Sequence, residues 1–326
     1  MATYLLPGAA GFIAFRVAEF LLDAGHTVYG VDNLNDAYDV RLKEYRLSRL
    51  QKRENFHFKK LDISERCTID ALEDWLPPDV AGVINLAARA GVRTSLTDPW
   101  VYVDTNMVGT LNLLELCRRM GIPKFVLAST SSLYAEESKP PFKETDDTDH
   151  PLQPYAASKK GAEAMAHVYH YLYDIDVTVL RYFTVYGPAG RPDMVMFRFC
   201  QWIAEGKPVV INGDGEQSRG FTYLDDIARG TIQALQPVGF EIINLGGHEV
   251  ITINHLVRML EDRIGKKAQV THHDFHPADV HTNQADVTRA SEILGWEPQV
   301  DLETGVTRLV DWYMQERAWA SQVETP

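Results

Sequence analysis

The sequence predicts an α/β protein built on a doubly wound parallel sheet, and three observations carry that prediction. Short apolar runs alternate with helical patterns through the first half of the chain. A turn containing two glycines, Gly8-Ala9-Ala10-Gly11, joins the first apolar run to the first helical pattern, and an acid, Asp32, ends the second run. The residues with the most distinctive chemistry fall at the carboxyl ends of the predicted strands, where ligands of such sheets bind.

The elements follow in order. Tyr4-Leu5-Leu6 is short and apolar and runs into Pro7-Gly8, as a buried first strand would. Val17, Phe20, Leu21 and Ala24 mark the first helix, which Gly25 ends. His26 to Val31 is the second strand. Asn55 to Leu61 is the third, closing on Asp62-Ile63, and Val80 to Leu86 the fourth, closing on Ala87-Ala88. A helix from Trp100 to Met120 leads to a fifth strand, Lys124 to Ala128, with Thr130, Ser131 and Ser132 beyond it. A further helix, reaching Tyr173, carries Tyr155 and Lys159, and Val177 to Arg181 is the sixth strand. After Phe183, Pro and Gly become frequent and strands such as Pro208 to Ile211 stand isolated, which predicts a smaller mixed α/β C-terminal region. Ala228 to Leu235 and Ile242 to Leu245 return to the main sheet. The expected division is residues 1–182 with 222–247 for the nucleotide-binding domain, and 183–221 with 248–326 for the substrate domain.

Bulk composition bounds the partners. The chain has 326 residues with 45% apolar content, enough for a large core. Its net charge is -13, from 32 basic and 45 acidic residues, which disfavours nucleic acid or an anionic membrane as the main partner. Three widely spaced cysteines show neither disulfide nor metal spacing, and no leader or bilayer-length apolar stretch is visible, so a cytoplasmic protein is expected. His272-His273 and His276 lack a metal-binding motif and read as loop histidines; no metal is expected.

The glycine turn and Asp32 point to a dinucleotide. Glycines let the backbone approach a pyrophosphate, and the following helix N-terminus stabilises its charge. Asp32 lies 21 residues after Gly11, where a carboxylate accepts from both ribose hydroxyls and repels a 2′-phosphate, favouring NAD over NADP. Tyr155 and Lys159 share one helix face. A phenol, with a pKa of about 10, is a poor base at neutrality, and a nearby ammonium favours its ionised form. Such a pair can transfer protons near neutral pH.

With these residues assembled, the chain resembles the extended short-chain dehydrogenase/reductase family, whose core is a Rossmann sheet. The resemblance covers nearly the whole length and includes Asp62-Ile63, Asn106, Arg181-Tyr182-Phe183 and Arg219 to Asp226. Within the family it is most similar to nucleotide-sugar 4-epimerases acting on UDP-glucuronate, on the segments Asp32 to Asp36, Ala88 to Arg93, Tyr155 to Lys160 and Phe183 to Met194. Two positions depart from the family turn: Pro7 replaces a Thr and Ala14 the third Gly. Pro7 removes a backbone donor and a hydroxyl but leaves Gly8 and Gly11 in place.

The resemblance implies an isomerase with tightly held NAD. Tyr155 would take the O4 proton of the sugar while NAD accepts the C4 hydride; Lys159 would lower the Tyr155 pKa and hold the nicotinamide ribose; Ser132 would bind O4, with Thr130 nearby. Gly8, Gly11, Phe12, Ile13, Asp32, Asn33, Asp62, Ile63, Leu86, Ala87, Ala88, Asn106 and Tyr182 would complete the cofactor site. Arg89, Thr184, Arg191, Arg219 and Asp279 would bind the UDP-sugar, with Thr184 and Arg191 on its carboxylate. Sugar 4,6-dehydratases carry an Asp-Glu pair where this chain has Ser131-Ser132, and glucuronate decarboxylases carry a Glu in place of Ser132, so both alternatives weaken. UDP-glucose 4-epimerase or uronate decarboxylase activity remains the alternative within enzymes, and NAD-binding without catalysis the alternative outside them. Apolar residues on several faces of helices 100–120 and 154–173 imply the homodimer interface of the family.

Overall fold

A computed structural model describes residues 1–134, 139–274 and 282–325. The first half alternates strand and helix: β1 (Thr3–Pro7), α1 (Phe12–Asp23), β2 (Thr27–Asp32), α2 (Val40–Leu50), β3 (Phe56–Lys60), α3 (Thr68–Glu73), β4 (Val80–Asn85), α4 (Trp100–Tyr102), α5 (Gly109–Met120), β5 (Lys124–Thr130), α6 (Pro154–Tyr173) and β6 (Asp176–Tyr182). The second half adds β7 (Thr184–Tyr186), α7 (Val195–Glu205), β8 (Pro208–Asn212), β9 (Ser218–Tyr223), α8 (Leu224–Gln233), β10 (Phe240–Leu245), β11 (Glu249–Thr252), α9 (Ile253–Ile264), β12 (Gln269–His273), β13 (Thr282–Asn283), α10 (Thr288–Leu294) and α11 (Leu302–Ala320).

The main sheet has seven strands in the order β10-β6-β5-β4-β1-β2-β3, every neighbouring pair parallel. Chain order runs outward in opposite directions from β1 and β4. That reversal opens a crevice at the carboxyl ends of these two strands. The glycine turn follows β1, and Ala87-Ala88 follow β4, so both face it. The apolar strand interiors, such as Leu5, Leu6, Val83, Ile84, Val126 and Val177, are fully buried because helices cover both sheet faces. Full burial of each such side chain contributes about 1.5–3 kcal/mol.

A second core lies under α7, α9 and α11, which pack on the small sheet β11-β9-β13 with β7 beside β9. Trp312 and Tyr313 belong to this core. β8 and β12 form a separate parallel pair. His272 and His273 are exposed on β12, in a strand rather than the expected loop, because that strand pairs with β8.

Three features depart from the sequence reading. Helix α2 has no counterpart in it. Its buried face includes Lys43 and Arg46 beside Leu42, Leu47 and Leu50, so no clean apolar stripe announces it. The helix spanning 100–120 is continuous but contains a π-helical segment, Val103–Val108. Finally, Ala290, Leu294 and Trp296 pack in the core beneath α1 and α8, although the sequence places residues 248–326 with the substrate domain. Trp296 donates its indole N–H to the Asp226 carbonyl at 2.8 Å, which anchors this stretch to α8.

Among the described residues, no helix is long and apolar enough to cross a membrane. The main sheet and α6 are joined by a buried ion pair. Arg181 on β6 donates to both oxygens of Glu163 on α6, at 3.0 and 2.8 Å, and Ser129 donates to Glu163 Oε1 at 2.5 Å. Losing one partner leaves an uncompensated buried charge. Glu163→Ala is expected to lower unfolding free energy by about 3–5 kcal/mol in urea titrations; a change within experimental error would show that the pair does not hold α6 to the sheet.

Candidate active site

The glycine turn folds as a dinucleotide site requires. Gly8 has φ +81°, and a Cβ there would lie 2.7 Å from the Ala87 nitrogen, so only glycine lets β1 and β4 close at the crevice. The Gly8 and Ala9 N–H groups donate to Val31 O at 2.7 and 3.1 Å, and Gly11 N–H donates to Gly8 O at 2.7 Å. The turn therefore closes with Pro7 in place, and Ala14 is buried without distortion in the core below. Gly11 is the N-cap of α1 and provides no side-chain cap, which leaves the first helical N–H groups directed toward the crevice. Phe12 packs into the core and Ile13 is half-buried beside it.

Asp32 ends β2 next to this turn. Its carboxylate accepts from Ala10 N–H at 3.2 Å and Leu34 N–H at 2.8 Å, and Lys43 of α2 stands 3.6 Å away. Asn33 donates to Asp62 at 2.8 Å, which also accepts from the Ser64 backbone and hydroxyl. Burial works to raise the Asp62 carboxyl, but the Ser64 and Asn33 hydrogen bonds outweigh it and hold it below the ordinary range. Ile63 is buried against Gly109. Leu86 N–H donates to Pro7 O at 3.2 Å, which seats Leu86, Ala87 and Ala88 against the turn. These residues fit a dinucleotide: a cradle without side chains, an open helix N-terminus and a fixed carboxylate at the ribose position.

Two predicted cofactor residues act differently. Asn106, on the π-helical segment, is buried and uses its amide within the protein. It donates to Arg89 O at 3.0 Å and Ser158 Oγ at 2.9 Å and accepts from Arg89 N–H at 2.9 Å. It fixes the backbone that carries Arg89 and ties it to α6. The Tyr182 hydroxyl pairs with Thr231 of α8 at 2.8 Å inside the core, so its side chain is not on the site surface.

Tyr155 lies in the first turn of α6, and Thr130 at the end of β5 is among the groups that act on its phenol. Burial raises the phenol above its ordinary value; the Thr130 hydrogen bond and the Arg191 guanidinium pull it down, while Tyr102, in edge contact at 6.0 Å, pushes it up. The lowering contributions come from Thr130 and Arg191. Lys159 is buried and donates to Ala128 O at 2.9 Å. Burial brings its ammonium down to about 8, against the raising effect of Glu163 one turn on. Thr130 Oγ1 accepts from Ser132 N–H at 3.1 Å, which ties the two residues together at the end of β5.

A cavity of about 200 Å³ is lined among others by Thr184, Asp193, Arg198, Gln217 and Arg219. Arg93 also reaches it, and both of its Nη atoms contact the Asn212 amide oxygen, at 2.7 and 3.2 Å. The sequence reading anticipated Thr184 and Arg219 but assigned no role to Arg93, Arg198 or Asp193. Arg198 lies in the first turns of α7, a helix that the sequence pattern does not announce. Arg191 pairs with Asp193 through Nε at 3.0 Å and Nη2 at 2.5 Å. Asp279 lies outside the described residues. Three guanidinium groups on one cavity suit an anionic ligand such as a diphosphate.

The comparisons agree with this geometry. Residues 5–309 match the family model described as GDP-mannose 4,6 dehydratase. The chain is 56% identical over 313 residues to the UDP-glucuronate 4-epimerase of Thermodesulfobacterium geofontis, across 96% of each chain. It is 39% identical over 332 residues to a probable UDP-glucuronate 4-epimerase of Rhizobium meliloti, across 96% of this chain and 97% of the relative. The crystal structure of UDP-glucuronic acid 4-epimerase from Bacillus cereus in complex with UDP-glucuronic acid and NAD matches with a TM-score of 0.89 at 37% identity, covering 96% of this chain and 99% of that one.

The position of Lys159 has a measurable consequence. Between pH 8 and its ordinary 10.5 the unfolded chain still carries this proton while the folded chain has lost it. Stability from this group therefore rises as pH rises through that window. Urea titrations of cofactor-free protein should show this rise in the wild type and a smaller one in Lys159→Met; equal pH dependence would contradict the burial of a titrating amine.

The sheet order, the glycine cradle and the Tyr155–Thr130 cluster, together with these matches, show that the chain belongs to the GDP-mannose 4,6 dehydratase family, within the extended short-chain dehydrogenases/reductases.

Proposed function

We infer that the chain is a UDP-glucuronate 4-epimerase, an isomerase that interconverts UDP-glucuronate and UDP-galacturonate with bound NAD. One observation carries the substrate choice: a proton-transfer tyrosine under the field of an arginine whose fork suits a carboxylate. The identity of 56% to a UDP-glucuronate 4-epimerase over 96% of the chain supports it. The family model is described as a 4,6 dehydratase, but Ser131 and Ser132 stand where elimination of water needs an acid and a base.

The chain's own residues divide the work. Gly8, Gly11 and the N-terminus of α1 hold the NAD pyrophosphate, and Asp32 holds its adenosine ribose. Held there, NAD would supply the hydride acceptor and donor for the sugar C4. Tyr155 removes the O4 proton, with Thr130 orienting its phenol and Ser132 beside the sugar hydroxyl. The Lys159 ammonium stabilises the ionised phenol and the nicotinamide ribose. Arg219 binds the diphosphate, with Arg93 and Arg198 on the same cavity.

The 4-keto sugar must turn over without losing its carboxylate. A ketone at C4 is β to that group, and β-keto acids lose carbon dioxide readily. Thr184 and Arg191 bind the carboxylate and hold it against this loss. Product analysis with UDP-glucuronate tests the assignment. Arg191→Ala and Thr184→Val are expected to lower kcat/KM by about 10-fold or more and to release more UDP-pentose. Unchanged activity and product ratio in both would overturn it.

The division into a nucleotide-binding and a substrate domain is proposed with residues 288–296 on the nucleotide side. A homodimer is proposed from exposed apolar side chains on neighbouring helices: Trp100 and Val103, and Tyr171 and Leu172 of α6, at 75%, 38%, 79% and 57% exposure. Sedimentation at micromolar concentration should give twice the 36.8 kDa chain mass; a monomer would count against it. The free Cys67, Cys117 and Cys200 support a reducing cytoplasm as its location.

A further inference from the structure

Asp193 already holds the arginine that the proposed chemistry assigns to the substrate. Its two oxygens accept from Nε and Nη2 of Arg191 at 3.0 and 2.5 Å, and the two side chains are 28% and 25% exposed. Asp193 lines the same cavity as Thr184 and Arg219. The Arg191 guanidinium also lies over the Tyr38 ring, 6.0 Å from its centre. Tyr38 in turn accepts from Arg46 Nη1 at 2.7 Å, and Arg46 donates to the Ala189 and Gly190 carbonyls just before Arg191. The loop is thus fixed below by Arg46, the guanidinium plane by Tyr38, and its rotation by Asp193.

A guanidinium has two edges that can bind a carboxylate with paired N–H groups. The Asp193 pairing uses the Nε–Nη2 edge. The Nη1–Nη2 edge stays available for a second carboxylate. We propose that Asp193 is a positioning residue for the sugar carboxylate: by locking Arg191 through Nε and Nη2 it turns the Nη1–Nη2 edge toward the substrate. This rests on the reading that Arg191 meets the carboxylate of a UDP-uronate.

The geometry matters because carbon dioxide leaves only when the C5–C6 bond aligns with the C4 carbonyl π system. In that event the C5–C6 bond breaks, its electron pair enters the C4 carbonyl as an enolate, and C5 takes a proton from water. An arginine free to rotate would hold the carboxylate loosely and let it sample the aligned orientation. An arginine locked by Asp193 restricts it.

The test uses full-length, NAD-loaded protein with Asp193→Asn, Asp193→Glu and Arg191→Ala. It measures KM and kcat for UDP-glucuronate, carbon dioxide released per epimerisation, and inhibition by UDP. Asp193→Asn should raise KM by roughly 10-fold, with a smaller change in kcat, because one charge-assisted pair is lost. It should raise carbon dioxide release several-fold and leave UDP inhibition unchanged. Asp193→Glu, which keeps a carboxylate, should recover part of both effects. The proposal fails if Asp193→Asn leaves KM and carbon dioxide release unchanged while Arg191→Ala impairs both. It fails too if Asp193→Asn lowers KM, since Asp193 would then compete with substrate, or if UDP inhibition is lost in both Asp193 variants, since the effect would then be one of folding. Normal KM and carbon dioxide release in Arg191→Ala would instead sink the underlying carboxylate reading, and this proposal with it.

Discussion

The site depends on one buried guanidinium, Arg46 of α2. It is fully buried and donates to Ala10 O at 3.0 Å, to Ala189 O at 2.7 and 3.1 Å, and to Gly190 O at 3.2 Å. Ala10 belongs to the nucleotide turn, and Ala189 and Gly190 to the loop that carries Arg191. A charge buried without a carboxylate partner is costly unless its donors are satisfied. Backbone carbonyls satisfy it here, one of them on Ala189, a non-glycine residue held at positive φ. The guanidinium therefore sets the spacing between the glycine turn and the loop that carries Arg191.

Burial dominates the electrostatics of the catalytic cluster. It raises the Tyr155 phenol and lowers the Lys159 ammonium to about 8, each toward its neutral form. What counters burial is specific: Thr130 and Arg191 act on Tyr155, and Glu163 acts on Lys159. Glu163 is itself held by Arg181, so the ion pair that binds α6 to the sheet also stands behind the catalytic lysine. The same residue serves packing and chemistry because it lies one turn from Lys159 and faces the sheet.

Arg191 connects these two systems. It lies on the loop that Arg46 holds, it lowers the Tyr155 pKa, and it lines up with Asp193 beside the sugar cavity. In the proposed function, one arginine acting on both Tyr155 and the substrate carboxylate would tie proton transfer to the presence of the right sugar. Ser131 and Ser132 lack ionisable groups, so among the described residues the proposed proton transfer falls to Tyr155. In the proposed reaction, oxidation and reduction of one alcohol need no acid or base beyond that tyrosine.

Much of this was legible in the sequence, for a local reason. Strand and helix periods, the glycine turn, Asp32 and the Tyr155–Lys159 spacing are short-range patterns whose physics is written over a few residues. They placed all seven strands of the main sheet, including the late return of Ile242 to Leu245 as its edge, and the crevice at its carboxyl side. Helix α2 escaped because its buried face is charged, and Asn106 and Tyr182 were read as ligand contacts when their polar atoms are committed to Arg89, Ser158 and Thr231. Only the tertiary structure decided which groups meet across long separations. Thr130 and Arg191 act on Tyr155, Arg46 joins residues 10 and 189, and Asp193 takes one edge of Arg191. Spacing along the chain fixes which residues share a helix face or strand end; the partner of a buried polar group is fixed by packing, because every such group must find a hydrogen bond wherever the fold places one.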